Sequence, residues 1–260
     1  GVDAAVAGLS ADGGRDAAAA IMTTDSVPKT AEAVRGGWSV GGMAKGAGML
    51  APSLATMLVV VTTDAVADAG TLDRALRAAT RVTFDRVDSD GCTSTNDTVL
   101  LLASGASGET PAYADLESAV TEVCASLARQ LVADAEGASK DVRIEVVNAA
   151  TEDDAVEAGR AISRANLVKC AIHGGDPNWG RILAELGMTS AAFEPDAVDV
   201  AINGVWVCRD GATGEDRTLV DMSGREVTIT IDLRSGKESA TVWTNDLTAA
   251  YVHENSAYST

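Results

Sequence analysis

The stretch Lys45–Asp64, KGAGMLAPSLATMLVVVTTD, joins a turn-rich loop to an apolar run. Gly46, Gly48 and Pro52 are typical of tight turns, and the MLVVV run that follows predicts a buried β-strand. Thr56 lies where the loop meets the strand. Threonine is a common strand residue, so this position alone is an ordinary structural feature. Its hydroxyl becomes a candidate nucleophile only if a base can take its proton.

Two segments, 71–86 and 112–135, repeat apolar residues at the spacing of an amphipathic helix, and we predict a third helix at 151–166. Thr71 is a natural N-cap for the first helix, and the TEDD sequence that begins at Thr151 resembles a capping box for the third. Helical segments alternate with apolar runs along the chain, which predicts an α/β fold.

Several of the runs between and after these helices predict strands. VRIEVV at 142–147 alternates with a period of two, and we interpret the short apolar run LVKCAI at 167–172 as a further strand. The pair Asn203-Gly204 between apolar runs predicts a β-hairpin, so we expect sheets that are at least partly antiparallel. We place a domain boundary after the longest helix, which divides the chain into 1–140 and 141–260.

The composition excludes several classes of function. A net charge of −18 without a cluster of Lys and Arg excludes a nucleic-acid binder, and no apolar run reaches the roughly 18 residues of a membrane span. The four cysteines are widely spaced, and only His173 and His253 could add imidazole ligands, so we predict no metal site. Free cysteines and the lack of a signal peptide predict a cytoplasmic protein.

Familiar nucleotide-binding and hydrolase patterns are missing. Lys45 precedes Gly46 and is not followed by Ser or Thr, so the segment is not a P-loop, and no GxGxxG pattern occurs. A GxSxG elbow is also absent, which leaves His173 in IHGGDPNWG as a weak candidate for a Ser-His-Asp triad.

Thr56 can be activated without a histidine. If the Ala55–Thr56 bond is cut, Thr56 gains an α-amine whose pKa of about 7.7–8.0 suits a general base near neutral pH. Such pairing of a threonine with its own amine is one known form of activated nucleophile. Ala55 is small, and the loop before it could hold a strained turn, so self-cleavage is a hypothesis that the residues allow.

The same stretch resembles a family signature. Lys45–Leu58 fits K-G-x-G-M-x-x-P-x-x-A-T-M-L, the pattern of the ornithine acetyltransferase family, the bifunctional glutamate N-acetyltransferases of arginine biosynthesis. MTTDSVPK, STNDT, DAEGASK, GDPNWGRI and the ending YVHENSAYST are similar to further blocks of that family. The resemblance covers nearly all 260 residues and is nearest to the actinobacterial members.

The resemblance implies a fold and a reaction. The fold would be a layered α/β/β/α sandwich with mixed, largely antiparallel sheets, of N-terminal-nucleophile type, with 1–140 as the catalytic region and a smaller α+β domain at 141–260. Cleavage between Ala55 and Thr56 would leave two chains that assemble as a heterotetramer. Thr56 would take acetyl from N-acetylornithine and pass it to glutamate in a ping-pong reaction. Acetyl-CoA is a donor for some members, and no other cofactor is implied.

The resemblance also implies the residues of the site. Besides Thr56, the substrate contacts would be Thr23, Lys45, Glu136, Asn255 and Thr260. The family's oxyanion hole uses a Thr-Gly pair upstream of the MTTD block, so we expect the chain to be part of a longer enzyme. Two alternatives stay open: a self-processing aminopeptidase or amidase of the same architecture, and a non-catalytic protein derived from the family.

Overall fold

The computed structural model describes residues 1–51, 57–92 and 96–257. The α-helices within these residues are α1 Val2–Ala7, α2 Gly14–Ala20, α3 Ala69–Val82, α4 Tyr113–Ala133, α5 Glu152–Arg164, α6 Asn166–His173, α7 Trp179–Leu186 and α8 Ala249–Ala257. The strands are β1 Lys29–Arg35, β2 Trp38–Lys45, β3 Leu58–Thr63, β4 Thr98–Ala103, β5 Asp141–Ala149, β6 Asp199–Ile202, β7 Val205–Arg209, β8 Ala212–Thr213, β9 Glu226–Asp232 and β10 Glu238–Asn245.

The strands form two mixed sheets. The first has the order β1-β2-β3-β4 and is antiparallel except for the parallel pair β3 and β4. The second has the order β10-β5-β9-β6-β7-β8 and is antiparallel except for β5 and β9. The predicted α/β class with mixed, largely antiparallel sheets is therefore confirmed.

The first hydrophobic core lies between one face of the first sheet and helices α3 and α4. Buried alanines on both helices, such as Ala79 and Ala119, let these elements approach closely, in accordance with an aromatic content of only 3%. The opposite face of this sheet carries the exposed side chains of Leu58, Leu100 and Leu102. In a layered sandwich, a second sheet would lie against that face.

The second core lies between the second sheet and α5, with α6 and α7 packed beside α5. Its buried residues run from Val142 to Val242, whereas those of the first core run from Ala33 to Ala135. The division between the cores falls near the expected boundary at 140, but two cores do not establish two independent domains, so that boundary stays a prediction.

Local sequence signals predicted one helix cap and one hairpin correctly, and one helix cap incorrectly. Thr151 caps α5, because its side chain accepts a hydrogen bond from the Asp154 N–H at 3.0 Å. The expected cap at Thr71 is wrong: Asp68 caps α3 and accepts from the Thr71 N–H at 2.9 Å, so this helix begins earlier. The Asn203-Gly204 hairpin is confirmed, since both residues have positive φ, as a type I′ turn requires.

The interpretation of residues 167–172 as a strand is wrong, because they lie in helix α6. Val168, Ala171 and Ile172 are buried together, which is the spacing of one helical face. A short apolar run fits both a strand and a buried helix, and periodicity cannot separate them. Asn166, directly after Ala165, begins the helix, and Gly174 follows its end.

Candidate active site

The loop after β2 is the centre of the candidate site. Lys45 is the last residue of β2 and pairs with Leu58, the first residue of β3. In the sequence, the predicted nucleophile Thr56 and its cleavage partner Ala55 come between the two strands, but both lie outside the described residues. The predicted contact Thr260 also lies outside them. The other predicted contacts are described, and they group around this loop.

Lys45 and Thr23 meet at one side of the loop. The Lys45 ammonium donates a hydrogen bond to the Thr23 hydroxyl at 3.3 Å. Lys45 is only 5% exposed, yet no carboxylate within residues 1–51, 57–92 and 96–257 forms an ion pair with it. A buried ammonium is costly unless an anion compensates it. This lysine is therefore suited to receive a substrate carboxylate.

Glu136 and Asn255 meet at the other side of the same loop. The Glu136 carboxylate accepts a hydrogen bond from the Asn255 amide at 3.1 Å, and the Glu136 N–H donates to the Ala47 carbonyl at 2.8 Å. The Glu136 carboxylate also lies against Gly48, where a Cβ atom would come within 2.7 Å of Oε2. Only glycine allows the loop to approach the carboxylate so closely.

The structure thus brings four of the predicted contacts to one loop. A cationic group, Lys45, lies at the start of this loop, and an anionic group, Glu136, contacts its residues Ala47 and Gly48. Each has a polar neutral neighbour. Such a pair of opposite charges is complementary to an amino-acid substrate that carries a carboxylate and an ammonium.

Asp97 is a residue of this site that sequence reasoning missed. Its carboxylate accepts a hydrogen bond from the Met57 N–H at 2.8 Å, and the Thr98 N–H donates to the Met57 carbonyl at 3.0 Å. Burial raises the pKa of Asp97, although the Met57 N–H and the charge of Lys45 act in the opposite direction. Asp97 belongs to the STNDT block, but an aspartate before a strand gives no separate signal of function.

Asp90 and Tyr251 form a second pair that the sequence did not indicate. The Asp90 carboxylate accepts from the Met49 N–H at 2.8 Å, and burial raises its pKa. Burial, together with the carboxylates of Asp90 and Glu136 and the Cys92 thiol, raises the pKa of Tyr251 to about 12. Tyr251 is therefore a neutral hydrogen-bonding group beside the acidic end of the loop.

His173 does not form a catalytic triad. Its Nδ1 lies 2.9 Å from an Asp246 carboxylate oxygen and 3.3 Å from the Ser139 hydroxyl. A triad needs one imidazole nitrogen for the serine and the other for the aspartate. Here a single nitrogen faces both groups, while Asp246 also accepts from the N–H groups of Ser139 and Lys140 at 2.9 Å. The cluster anchors the segment before β5.

Comparison with known proteins decides the family. The model of the ArgJ family matches residues 1–260. The chain belongs to the ArgJ family. The arginine biosynthesis bifunctional protein ArgJ of Streptomyces avermitilis is 70% identical over 259 residues, which are 100% of this chain and 68% of that protein. The protein of the same name from Streptomyces coelicolor is 69% identical with the same coverage.

A solved structure is similar as well. The crystal structure of the arginine biosynthesis bifunctional protein ArgJ from Bacillus halodurans matches with a TM-score of 0.72 and 34% identity, covering 77% of this chain and 98% of that chain. The resemblance to the actinobacterial members is confirmed by the Streptomyces relatives. This ArgJ chain is accordingly an acetyltransferase of arginine biosynthesis, with acetyl transfer between ornithine and glutamate as its reaction.

Two features are absent from the part of the chain that the structure describes. None of its helices is long and apolar enough to cross a membrane. No group of three or more His, Cys, Asp or Glu side chains there is arranged to hold a metal ion.

Proposed function

We propose that this ArgJ chain transfers acetyl by a ping-pong reaction through Thr56, after the Ala55–Thr56 bond has been cut. The observation that carries the proposal is that Lys45, at the start of the 45–51 loop, contacts Thr23, while Glu136, which is hydrogen-bonded to Asn255, contacts Ala47 and Gly48 of the same loop. In the sequence, this loop precedes position 56, and both belong to the same family signature. The charges around the loop suit an amino-acid substrate of the proposed nucleophile.

In the first half-reaction, the Thr56 hydroxyl attacks the acetyl carbonyl carbon of N-acetylornithine. Its own α-amine takes the hydroxyl proton and returns it to the leaving amine of ornithine, so the acetyl ester of Thr56 remains. Lys45 pairs with the α-carboxylate, and Glu136 with the side-chain ammonium. In the second half-reaction, the amine of glutamate attacks this ester and restores the free hydroxyl.

The remaining parts of the proposal rest on the resemblance. The two fragments of each protein stay together and pair into a heterotetramer in the cytoplasm. Thr260 joins Asn255 in closing the pocket. The reaction needs no metal or prosthetic group, and acetyl-CoA is a second donor to be tested.

The experiment compares Thr56→Ala with the parent in the complete enzyme that contains this sequence. Thr62→Ala is the matched control, because Thr62 is an exposed threonine of β3, the strand that follows position 56 in the sequence. Mass spectrometry should show two fragments for the parent and the control, and a single mass for Thr56→Ala. Incubation with N-acetylornithine alone should add one acetyl group to the fragment that begins at Thr56.

The activity assay follows ornithine release with and without glutamate. Parent and control should release ornithine continuously only when glutamate is present, and Thr56→Ala should release none. Acetyl transfer by Thr56→Ala would contradict the proposal. Continuous release without glutamate would instead favour an amidase, and an uncleaved, inactive parent would favour a non-catalytic protein.

A further inference from the structure

A buried ion cluster lies directly behind the candidate site. The Lys29 ammonium contacts the carboxylates of Asp25 and Asp134, each at 2.6 Å. Lys29 is 0% exposed, the Asp25 side chain is equally buried, and that of Asp134 is nearly so. The proposed reaction uses none of these three residues.

Asp25 connects this cluster to Lys45 and Thr23. One of its carboxylate oxygens accepts from the Gly46 N–H at 2.7 Å, next to Lys45. The other accepts from the Thr23 N–H at 3.2 Å. One buried carboxylate therefore holds the backbone on both sides of the Lys45–Thr23 hydrogen bond.

Asp134 connects the cluster to the acidic end of the site. It follows α4 directly and precedes Glu136 by two residues. Its carboxylate accepts from the Ser26 N–H at 3.0 Å and from the Ser26 hydroxyl, so the end of α4 is attached to the segment that carries Thr23. Lys29 links the two carboxylates and thereby the two ends of the site.

The net contribution of a buried ionic cluster to the free energy of folding is too small to explain why the cluster is present. Desolvation of buried charges consumes most of their mutual attraction, and apolar replacements of similar volume are often equally stable. What a hydrogen-bonded ionic cluster provides is a fixed geometry. Burial alone would raise the pKa values of Asp25 and Asp134, but hydrogen bonds from Lys29 and nearby backbone groups hold both below their usual value.

We propose that Asp25, Lys29 and Asp134 are positioning residues that fix Thr23, Lys45 and Glu136 relative to one another and so set the affinity for the amino-acid part of both substrates. The inference rests on the proposed function, since it assumes that those three residues contact substrate. The cluster itself touches neither substrate nor the reacting atoms. Its loss therefore weakens substrate binding more than it slows the chemical steps.

The test uses the triple variant Asp25→Asn, Lys29→Met, Asp134→Asn in the complete enzyme. This variant removes all three charges together, so no single buried charge is left without a partner. Arg35→Gln is the matched control, because the Arg35–Glu122 pair also joins β1 to α4 at 2.6 Å but is exposed. Thermal melting and the extent of self-cleavage report on folding, and steady-state kinetics give kcat and KM for both substrates.

The triple variant should melt close to the parent and should still cleave itself. Its KM values for N-acetylornithine and glutamate should both rise about tenfold or more, with kcat within about threefold of the parent. A purely structural cluster would leave the KM values of the folded, cleaved variant unchanged. The Arg35→Gln control should match the parent in self-cleavage, kcat and KM, and should melt at or slightly below the temperature of the parent.

KM values within about twofold of the parent in a folded triple variant would overturn the inference. If the triple variant does not fold, Asp25→Asn alone decides by the same KM criterion, because it keeps one carboxylate for Lys29. Failure of the proposed function has a different signature: the parent itself would lack glutamate-dependent transfer or an acetyl group on the Thr56 fragment.

Discussion

Lys29 and Lys169 are both buried lysines in different regions of the molecule, and their ammonium groups have different kinds of partner. Lys29, at the start of β1, contacts two carboxylates at 2.6 Å. Lys169, on α6, is 4% exposed and donates to neutral groups: the Ser89 carbonyl at 2.7 Å, the Thr244 hydroxyl at 3.0 Å and the Asn245 carbonyl. Each ammonium is fully hydrogen-bonded, but only Lys29 is electrically compensated at contact distance.

The difference appears in the pKa of Lys169. Burial lowers this pKa to about 8, and the carboxylates of Asp88, Asp90 and Asp246 counteract the effect only in part. Hydrogen bonds to neutral oxygens therefore satisfy the geometry of a buried ammonium without balancing its charge. The comparison shows that the kind of partner, and not burial alone, decides how costly a buried charge is.

The two lysines also join different parts of the fold. Lys29 connects β1 to the end of α4 within the first core. Lys169 connects α6, in the second core, to Ser89 and to the end of β10. The ionic cluster thus lies behind the Lys45–Thr23 contact, whereas Lys169 lines a small cavity together with Glu136, Asp90 and Tyr251.

The largest loss of stability is expected when Lys29→Met is the only substitution. It leaves Asp25 and Asp134 buried side by side without their counter-ion, and breaking a buried pair in this way costs about 3–5 kcal/mol in the free energy of unfolding. Urea denaturation at neutral pH measures this cost. The neutral triple variant is the control and should regain most of the stability. A single variant as stable as the parent would contradict the compensation that we assign to Lys29.

A somewhat smaller effect is expected for Lys169→Met, in how the free energy of unfolding changes with pH. The folded-state pKa of about 8 lies below the usual lysine value of about 10.4. Between these values the unfolded chain holds a proton that the folded chain has released, so the contribution of Lys169 to stability rises with pH in this window. The parent should gain up to about 3 kcal/mol relative to Lys169→Met between pH 7.5 and pH 10.5.

Denaturation of both proteins over that pH range provides the measurement. Taking the difference between parent and variant removes the titration of other groups, such as Tyr251, whose pKa is raised to about 12. A difference that stays constant or falls with pH would show that Lys169 remains protonated in the folded protein, and would remove the contrast with Lys29.

The fold was predictable where its signals are local. Thr151 and the Asn203-Gly204 turn act through contacts within a few residues, so their consequences could be read from the sequence. Residues 167–172 could not be assigned, because their environment, and not their order, selects a helix. Lys169 lies in that segment, and its burial against Ser89 and β10 depends on packing between elements far apart in the chain.

The site was predictable where one continuous motif carries it. Lys45 lies in the same signature as Thr56, and the blocks around Thr23 and Glu136 resemble the family's own. Asp25 and Lys29 are four residues apart, which is also the spacing of an ordinary exposed ion pair. Their connection to Asp134 spans 105 positions, and no local pattern indicates it.

The smallest loss of stability is expected for Arg35→Gln. This variant is also the control for the role that we assign to burial of the Lys29 cluster. Arg35 and Lys29 lie at opposite ends of β1, and each pairs at 2.6 Å with an acidic residue on or directly after α4. The Arg35 and Glu122 side chains are 31% and 56% exposed, so water and salt screen their attraction. We expect a loss of about 0.2–1 kcal/mol that shrinks as salt is added. A salt-independent loss above about 2 kcal/mol would show that joining β1 to α4, and not burial of the charges, makes the Lys29 cluster important.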